Sequence, residues 1–305
     1  MIYTVTLNPA VDYVIQLDNF EQGTINRSKF DYKEAGGKGI NVSRVLNRLG
    51  ATSTALGFIG GFTGKFITDY LSEVNIAHDF VSLEEDTRIN VKLKSGDEES
   101  EVNGTSPEIS EKAYNHLLEK LQGLSHGDVV VLAGSLPTSL PQDTYKSLVT
   151  MLNKRGVSTI LDTSGKALGE AIQAGPTFIK PNNFELAELF SEEVKSDDDI
   201  IRLAKRLHEE NNIDHVLVSL AKEGAIYVGA TGVYKLNAPK GKAIHSVGAG
   251  DSSVAGFIYK LQETSNAEDA AKFAVASGSA TAFSKTLCTK EEAESLLNDI
   301  HVKKL

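Results

Sequence analysis

The 305-residue chain sets 31 Lys and Arg against 41 Asp and Glu, a net charge of −10, with 41% apolar and 24% charged residues. That balance suits a soluble globule with a sizeable core and excludes the basic face that duplex nucleic acid needs, while leaving a small anionic substrate open. Cys288 is the only cysteine, which rules out an intrachain disulfide and fits a reducing, cytoplasmic location, and no apolar stretch nears the roughly 18 residues of a membrane span, so no membrane partner is expected.

Met1–Pro9 has no basic residues ahead of its apolar run and reads as the first strand, not as a signal peptide. Asp12–Leu17 and Arg27–Tyr32 alternate apolar with polar, as strands with one covered and one open face do. Gly36–Ser43 opens a helix that runs through Leu49 to Gly50. Thr54–Ile59 and Gly64–Val74 form a strand and helix. Between them Gly60–Phe66 resembles a P-loop, but its spacing is wrong and Phe66 stands where Ser or Thr is needed. Ile89–Lys94 and Ser100–Val102, joined by polar Ser95–Glu99, read as a hairpin. Val129–Gly134 is a continuous apolar run, as in a strand covered on both faces, and a helix follows near Pro141. The same unit recurs at Ser158–Asp162, Thr177–Lys180 and His215–Ser219.

Alternation of this kind predicts an α/β fold, a mostly parallel central sheet with helices on both faces and ligands beyond the carboxyl ends of its strands. The two alternating pairs are expected to form a small projecting β-sheet lid, the alternative being extra edge strands on the main sheet. With no repeat, low-complexity tract or long linker, residues 1–305 read as a single domain, with lid strands from about 12–33 and 88–103.

Two glycine loops carry chemistry. In Ser246–Phe257, Gly248-Ala249-Gly250-Asp251 leads into an apolar helical pattern. Free N–H groups at a helix start make an anion site, and Asp251 in the first turn is suited to take a proton from an attacking hydroxyl. A glycine turn with a capping Asp gives the same local pattern. The third glycine of a dinucleotide fingerprint is replaced by Ser253, against that reading. In the second loop, Gly36 and Gly37 allow close backbone approach to a ligand, with Lys38 and Asn41 as polar groups at a helix start. The histidines show no metal-ligand spacing, and His245 beside the first loop reads as a strand-end residue.

These two loops, in this order and separation, resemble the signatures of the PfkB (ribokinase-like) family of carbohydrate kinases. Thr6–Asp12, Gly134–Pro137, Asp162–Gly165 and Lys180–Glu185 are similar to further family landmarks, so the likeness spans nearly the whole chain. Thr87–Lys92 and Glu101–Gly104 resemble the branch acting on phosphosugars, which holds 1-phosphofructokinase, tagatose-6-phosphate kinase and a minor 6-phosphofructokinase. The resemblance implies a ribokinase-like three-layer fold and ATP-dependent phosphorylation of a ketohexose phosphate. Fructose 1-phosphate is the leading acceptor, with tagatose 6-phosphate and fructose 6-phosphate as alternatives. A non-catalytic sugar- or nucleotide-sensing module on the same fold would need no base, which Asp251 argues against.

Carried over by position, Asp251 is the catalytic base, Gly248, Ala249 and Gly250 form the anion hole, and Lys38 assists. Asp12, Gly36, Gly37 and Asn41 hold the sugar. Lys38, Arg88 and Arg27 are the cations for the resident phosphate, and Asn90, Asn103 and Ser135 are further polar contacts. Lys180, Asn182, Ser219, Gly224, Val247, Gly248 and Gly250 line the nucleotide, and Glu185 organises Mg²⁺ through water. Where many members have Asp-Thr before the loop this chain has Ser246-Val247, and Ser252-Ser253 follow the base, which puts a monovalent-cation site in doubt. A homodimer through the lid strands is also implied.

Overall fold

The computed structural model describes residues 1–96, 98–244 and 246–305, so Asp97, part of the expected connection Ser95–Glu99, and the expectation for His245 lie outside the described residues. Strand β1 (Ile2–Thr6) leads into β2 (Ala10–Leu17), β3 (Phe30–Gly36), helix α1 (Lys38–Leu49), β4 (Thr54–Gly60) and α2 (Gly61–Glu73). Then come β5 (Ala77–His78), β6 (Val81–Leu83), β7 (Ile89–Ser95), β8 (Glu98–Asn103), α3 (Glu111–Gln122), β9 (Val129–Ala133) and α4 (Thr144–Asn153). Alternation continues through β10 (Ser158–Asp162), α5 (Gly165–Ala171), β11 (Phe178–Ile179), α6 (Asn183–Phe190), α7 (Asp197–Glu210) and β12 (His215–Ser219). The chain ends with β13 (Ala225–Gly229), β14 (Gly232–Leu236), α8 (Ala249–Thr264), α9 (Ala267–Phe283), α10 (Lys290–Ser295) and β15 (Val302–Lys304).

The main sheet has 11 strands in the order β15-β14-β13-β12-β11-β10-β9-β1-β4-β5, with β6 also on β4. Pairing is parallel from β12 to β5 and antiparallel from β12 out to β15. The continuous apolar run in β9 is explained by its two covered faces. Val130 and Leu132 pack with Leu117, Tyr145 and Leu203 on one side, and Val131 and Ala133 pack with Leu46, Phe257 and Phe273 on the other. Phe178 of β11 stacks on Phe257 of α8 at 4.1 Å between ring centroids, pinning α8 to the sheet.

The second sheet is separate, with four strands in the order β3-β2-β7-β8, so the two alternating pairs do not extend the main sheet. Its root is closed by Val11, Ala35, Ile40, Ile67 and Leu71. Two expectations change here. Strand β3 spans Phe30–Gly36 and not Arg27–Tyr32, because Asn26 bonds the backbone of Glu21 and holds the preceding residues in a turn. The outer strand β8 is exposed along its whole length, where one covered face was expected, because it forms the edge and its Glu-rich face meets solvent.

Candidate active site

The carboxyl ends of the parallel strands converge on one region, the place this topology reserves for ligands. Asn8 follows β1, Ser135 follows β9, Asp162 ends β10, Lys180 follows β11 and Ser219 ends β12. The amino terminus of α8 faces the same region. Gly248 caps it at φ +81°, a left-handed conformation that favours glycine, and supplies no side-chain acceptor. Among the described residues the N–H groups of Gly250 and Asp251 have no acceptor, which leaves two donors and the positive helix end for an anion.

Asp251 is 6% exposed and its Oδ2 accepts from Asn41 Nδ2 at 2.8 Å. Asn41 cannot turn its amide the other way without loss, since its Oδ1 accepts from Arg44 Nη1 at 3.2 Å, and Arg44 in turn donates to Glu34 at 3.3 Å. Burial first, and then the negative charge of Asp162, push the Asp251 carboxyl up to about 6 against the pull of Lys38, the Asn41 bond and Lys180. Relative to water this disfavours the charged carboxylate by about 3 kcal/mol, a poise that suits a general base near neutral pH.

Asp162 is 3% exposed and sits between two cations, with Lys38 Nζ 3.2 Å from Oδ2 and Lys180 Nζ 3.7 Å from Oδ1. Burial opposes its charge, yet Lys180 and Lys38 hold its carboxyl below the ordinary range. Lys38 responds in kind: burial works against it, but Asp162, Asp251 and Glu185 raise its pKa. A Cβ at Gly250 would lie 3.3 Å from Lys180 Nζ, so Lys180 stands directly beside the helix end.

On the small sheet, Asp12 Oδ1 accepts from Asn90 Nδ2 at 3.1 Å and Oδ2 pairs with Lys92 at 3.2 Å. Both partners come from the parallel neighbour β7 and share one face of the small sheet with Asp12. Gly36 must be glycine: a Cβ there would come within 2.7 Å of the Asp12 carboxylate. Arg88 donates to the Asn8 and Pro9 carbonyls, and partial burial lowers its pKa from an already high value, so it remains charged.

Beyond β11, Asn182 caps α6 in a reciprocal box with Glu185. Asn182 Oδ1 accepts from the Glu185 N–H at 2.9 Å, and Glu185 Oε2 accepts from the Asn182 N–H at 2.8 Å. Among the described residues the other Glu185 oxygen, Oε1, accepts no hydrogen bond. Ser219 is linked by a parallel bridge to Asn182, which brings the ends of β11 and β12 together.

The structure therefore gathers Asp251, Gly248–Gly250, Asn41, Lys38 and Lys180 in one centre, with Asp12, Gly36, Gly37, Arg88, Asn90 and Ser135 beside it. Asn103 pairs with Asn90 across the hairpin but is exposed. Gly224 lies in the turn before β13 and Val247 ahead of α8. Arg27 is exposed in the loop between β2 and β3 and makes no polar contact with these groups among the described residues. Four participants escaped sequence reasoning: Asp162, Arg44, Lys92 and Asn8. Asp162 stood within a family landmark, and Lys92 at the end of Thr87–Lys92, so each position was in view without its role.

Comparison with known proteins agrees with this geometry. A model described as pfkB family carbohydrate kinase matches residues 5–294. A 1-phosphofructokinase of Bacillus subtilis is 47% identical over 100% of both chains, and a D-tagatose-1-phosphate kinase of Bacillus licheniformis is 37% identical over 99% of each. The crystal structure of phosphofructokinase-2 from Escherichia coli in complex with substrates and products superposes with a TM-score of 0.93 at 30% identity, over 97% of this chain and 98% of that one. The small sheet, the parallel body and the two glycine loops are thus those of a ribokinase-like α/β fold, and the chain belongs to the pfkB family of carbohydrate kinases.

Proposed function

We propose that the protein transfers the γ-phosphoryl group of ATP to fructose 1-phosphate, forming fructose 1,6-bisphosphate and ADP. The observation that carries this reading is the pairing of a buried, oriented Asp251 with two acceptor-free N–H groups on one helix end, flanked by Lys38 and Lys180. The 1-phosphofructokinase relative at 47% identity over the full length supports the choice of acceptor.

Asp251 Oδ2 is held by Asn41, which leaves Oδ1 to take the proton of the acceptor hydroxyl. As that oxygen forms its bond to the γ-phosphorus, the bond from phosphorus to the bridging oxygen breaks and ADP departs. Charge on the transferring group falls beside the Gly250 and Asp251 N–H donors and the lysine ammonium groups. Asp12, fixed by Asn90 and Lys92, accepts from sugar hydroxyls and sets which oxygen faces Asp251. The donor set fits Mg²⁺, a hard cation that keeps most of its waters: among the described residues Glu185 Oε1 is without a partner and would hold the ion through water. When bound, the ion neutralises phosphate charge. The small sheet serves as a lid that excludes water, and its exposed Phe30 and Val102 support a homodimer formed through it.

ADP release measured against fructose 1-phosphate, fructose 6-phosphate, tagatose 1-phosphate and tagatose 6-phosphate tests the assignment. The highest kcat/KM is expected with fructose 1-phosphate. A higher value with another sugar moves the substrate, and no phosphosugar-dependent release removes the proposal.

A further inference from the structure

At the carboxyl end of β1 a single amide arranges three donors. Asn8 is 7% exposed, and its Nδ2 donates to Ser106 Oγ at 2.9 Å and to Ser135 Oγ at 3.3 Å. Its main-chain carbonyl accepts from Arg88 Nη2 at 3.0 Å, while Pro9 O accepts from Arg88 Nε at 3.4 Å. Asn8 Oδ1 is buried without a partner. Turning the amide over would strand two N–H donors where now one oxygen is stranded, so the donating arrangement is the lower in energy.

This orientation decides what the serines do. A hydroxyl oxygen that accepts from an amide keeps its own hydrogen for another acceptor. Neither Ser106 nor Ser135 has a second hydrogen-bond partner among the described residues, and no carboxylate is bonded to either hydroxyl or to the Arg88 guanidinium. Two hydroxyls held on the Asn8 side chain and a guanidinium held on its main-chain carbonyl, with N–H groups to spare, offer donors that match a tetrahedral dianion. The neighbouring subsite carries the Asp12 carboxylate, whereas the Ser106, Ser135 and Arg88 side chains of this cluster have no carboxylate bonded to them among the described residues.

We propose that Asn8 is a positioning residue that turns the Ser106 and Ser135 hydroxyls toward the ligand, and that Ser106 joins Ser135 and Arg88 in binding the phosphate already present on the sugar. This rests on the phosphosugar reading above and extends it to Asn8 and Ser106. The arrangement explains why an asparagine is buried with one oxygen unpaired: the orphaned acceptor is what keeps both hydroxyl hydrogens available.

KM for fructose 1-phosphate and for ATP, measured in the wild type, Ser106→Ala, Ser106→Thr and Asn8→Asp, tests it. Loss of one hydrogen bond to a charged phosphate is expected to raise the phosphosugar KM about tenfold in Ser106→Ala, with the ATP KM within about twofold. Ser106→Thr keeps the hydroxyl and regains most of the affinity. The Asn8→Asp carboxylate accepts from both hydroxyls, draws their hydrogens inward and repels the phosphate, for a rise of about a hundredfold. An unaltered phosphosugar KM in Ser106→Ala overturns the proposal, as does a parallel rise for both substrates, which marks a general loss of structure. Should Asn8→Asp fail to fold, the Ser106 pair decides alone. A wild type that turns over no phosphosugar overturns the proposed function and this inference with it, whereas an active wild type with an indifferent Ser106 overturns the inference alone.

Discussion

Asp251 and Asp162 show how one fold gives two buried carboxylates different work. Asp162 lies between Lys180 and Lys38, which hold it ionised despite burial. Among the described residues Asp251 is hydrogen-bonded through its side chain only to the Asn41 amide, and it is pushed up to about 6 by burial and by the charge of Asp162. The sign follows: below about pH 6 Asp251 is protonated and cannot accept the hydroxyl proton, so kcat/KM is expected to fall about tenfold per pH unit on the acid side. Asp162→Asn removes a charge that raises the Asp251 pKa, so it should move that limb to lower pH. A pH–rate profile flat down to pH 5 contradicts this account. At this scale the sequence made Asp251, Lys38 and Asn41 legible, because glycine loops mark where backbone and polar groups meet. Asn8, Arg44 and Lys92 were not legible. Asn8 and Lys92 act through partners far away in sequence, as Lys92 does on Asp12 once β2 and β7 lie side by side. Arg44, only three residues from Asn41, acts through that side chain and not on a ligand.

Among the elements, β10 and β12 stand where the apolar runs placed them, since a strand covered on both faces writes itself as a continuous run. β3 did not. Its alternating residues were read too early, as Arg27–Tyr32, and Gly36, read with the loop that opens α1, is the last residue of the strand, where it answers to the Asp12 carboxylate. The Ser252-Ser253 pair after the base has a packing reason. Ser252 Oγ bonds Thr281 Oγ1 at 2.7 Å, and a Cβ at Gly278 would lie 2.3 Å from Ser253 Oγ, so small side chains let α9 cross close over the start of α8. The small sheet carries its own prediction. Phe30 is 58% exposed on β3 and Val102 67% exposed on β8, apolar area on both outer strands. Light scattering is expected to give the mass of a dimer, and Phe30→Glu to shift it toward the monomer. A single monomer mass across the working concentration range contradicts pairing through these strands.

Over the whole molecule, net charge and catalytic charge are separate matters. The chain is acidic at −10, yet Lys38, Lys180 and Arg88 gather at the carboxyl edge of the sheet, where two anionic substrates must meet. The parallel sheet brings the ends of β1, β9, β10, β11 and β12 to that edge, and the small sheet brings Asp12, Asn90 and Lys92 over it. Alternation of strands and helices foretold this architecture, but the order of strands, and so which loop faces which, came from long-range pairing that no local pattern records. The central claim is that Asp251 is the base of a phosphosugar kinase. Single-turnover transfer from ATP to fructose 1-phosphate in Asp251→Asn, with ATP affinity and melting temperature measured alongside, tests it most directly. The account predicts a folded enzyme that binds ATP normally and transfers about a thousandfold more slowly. A folded variant that transfers within about tenfold of the wild-type rate would contradict it.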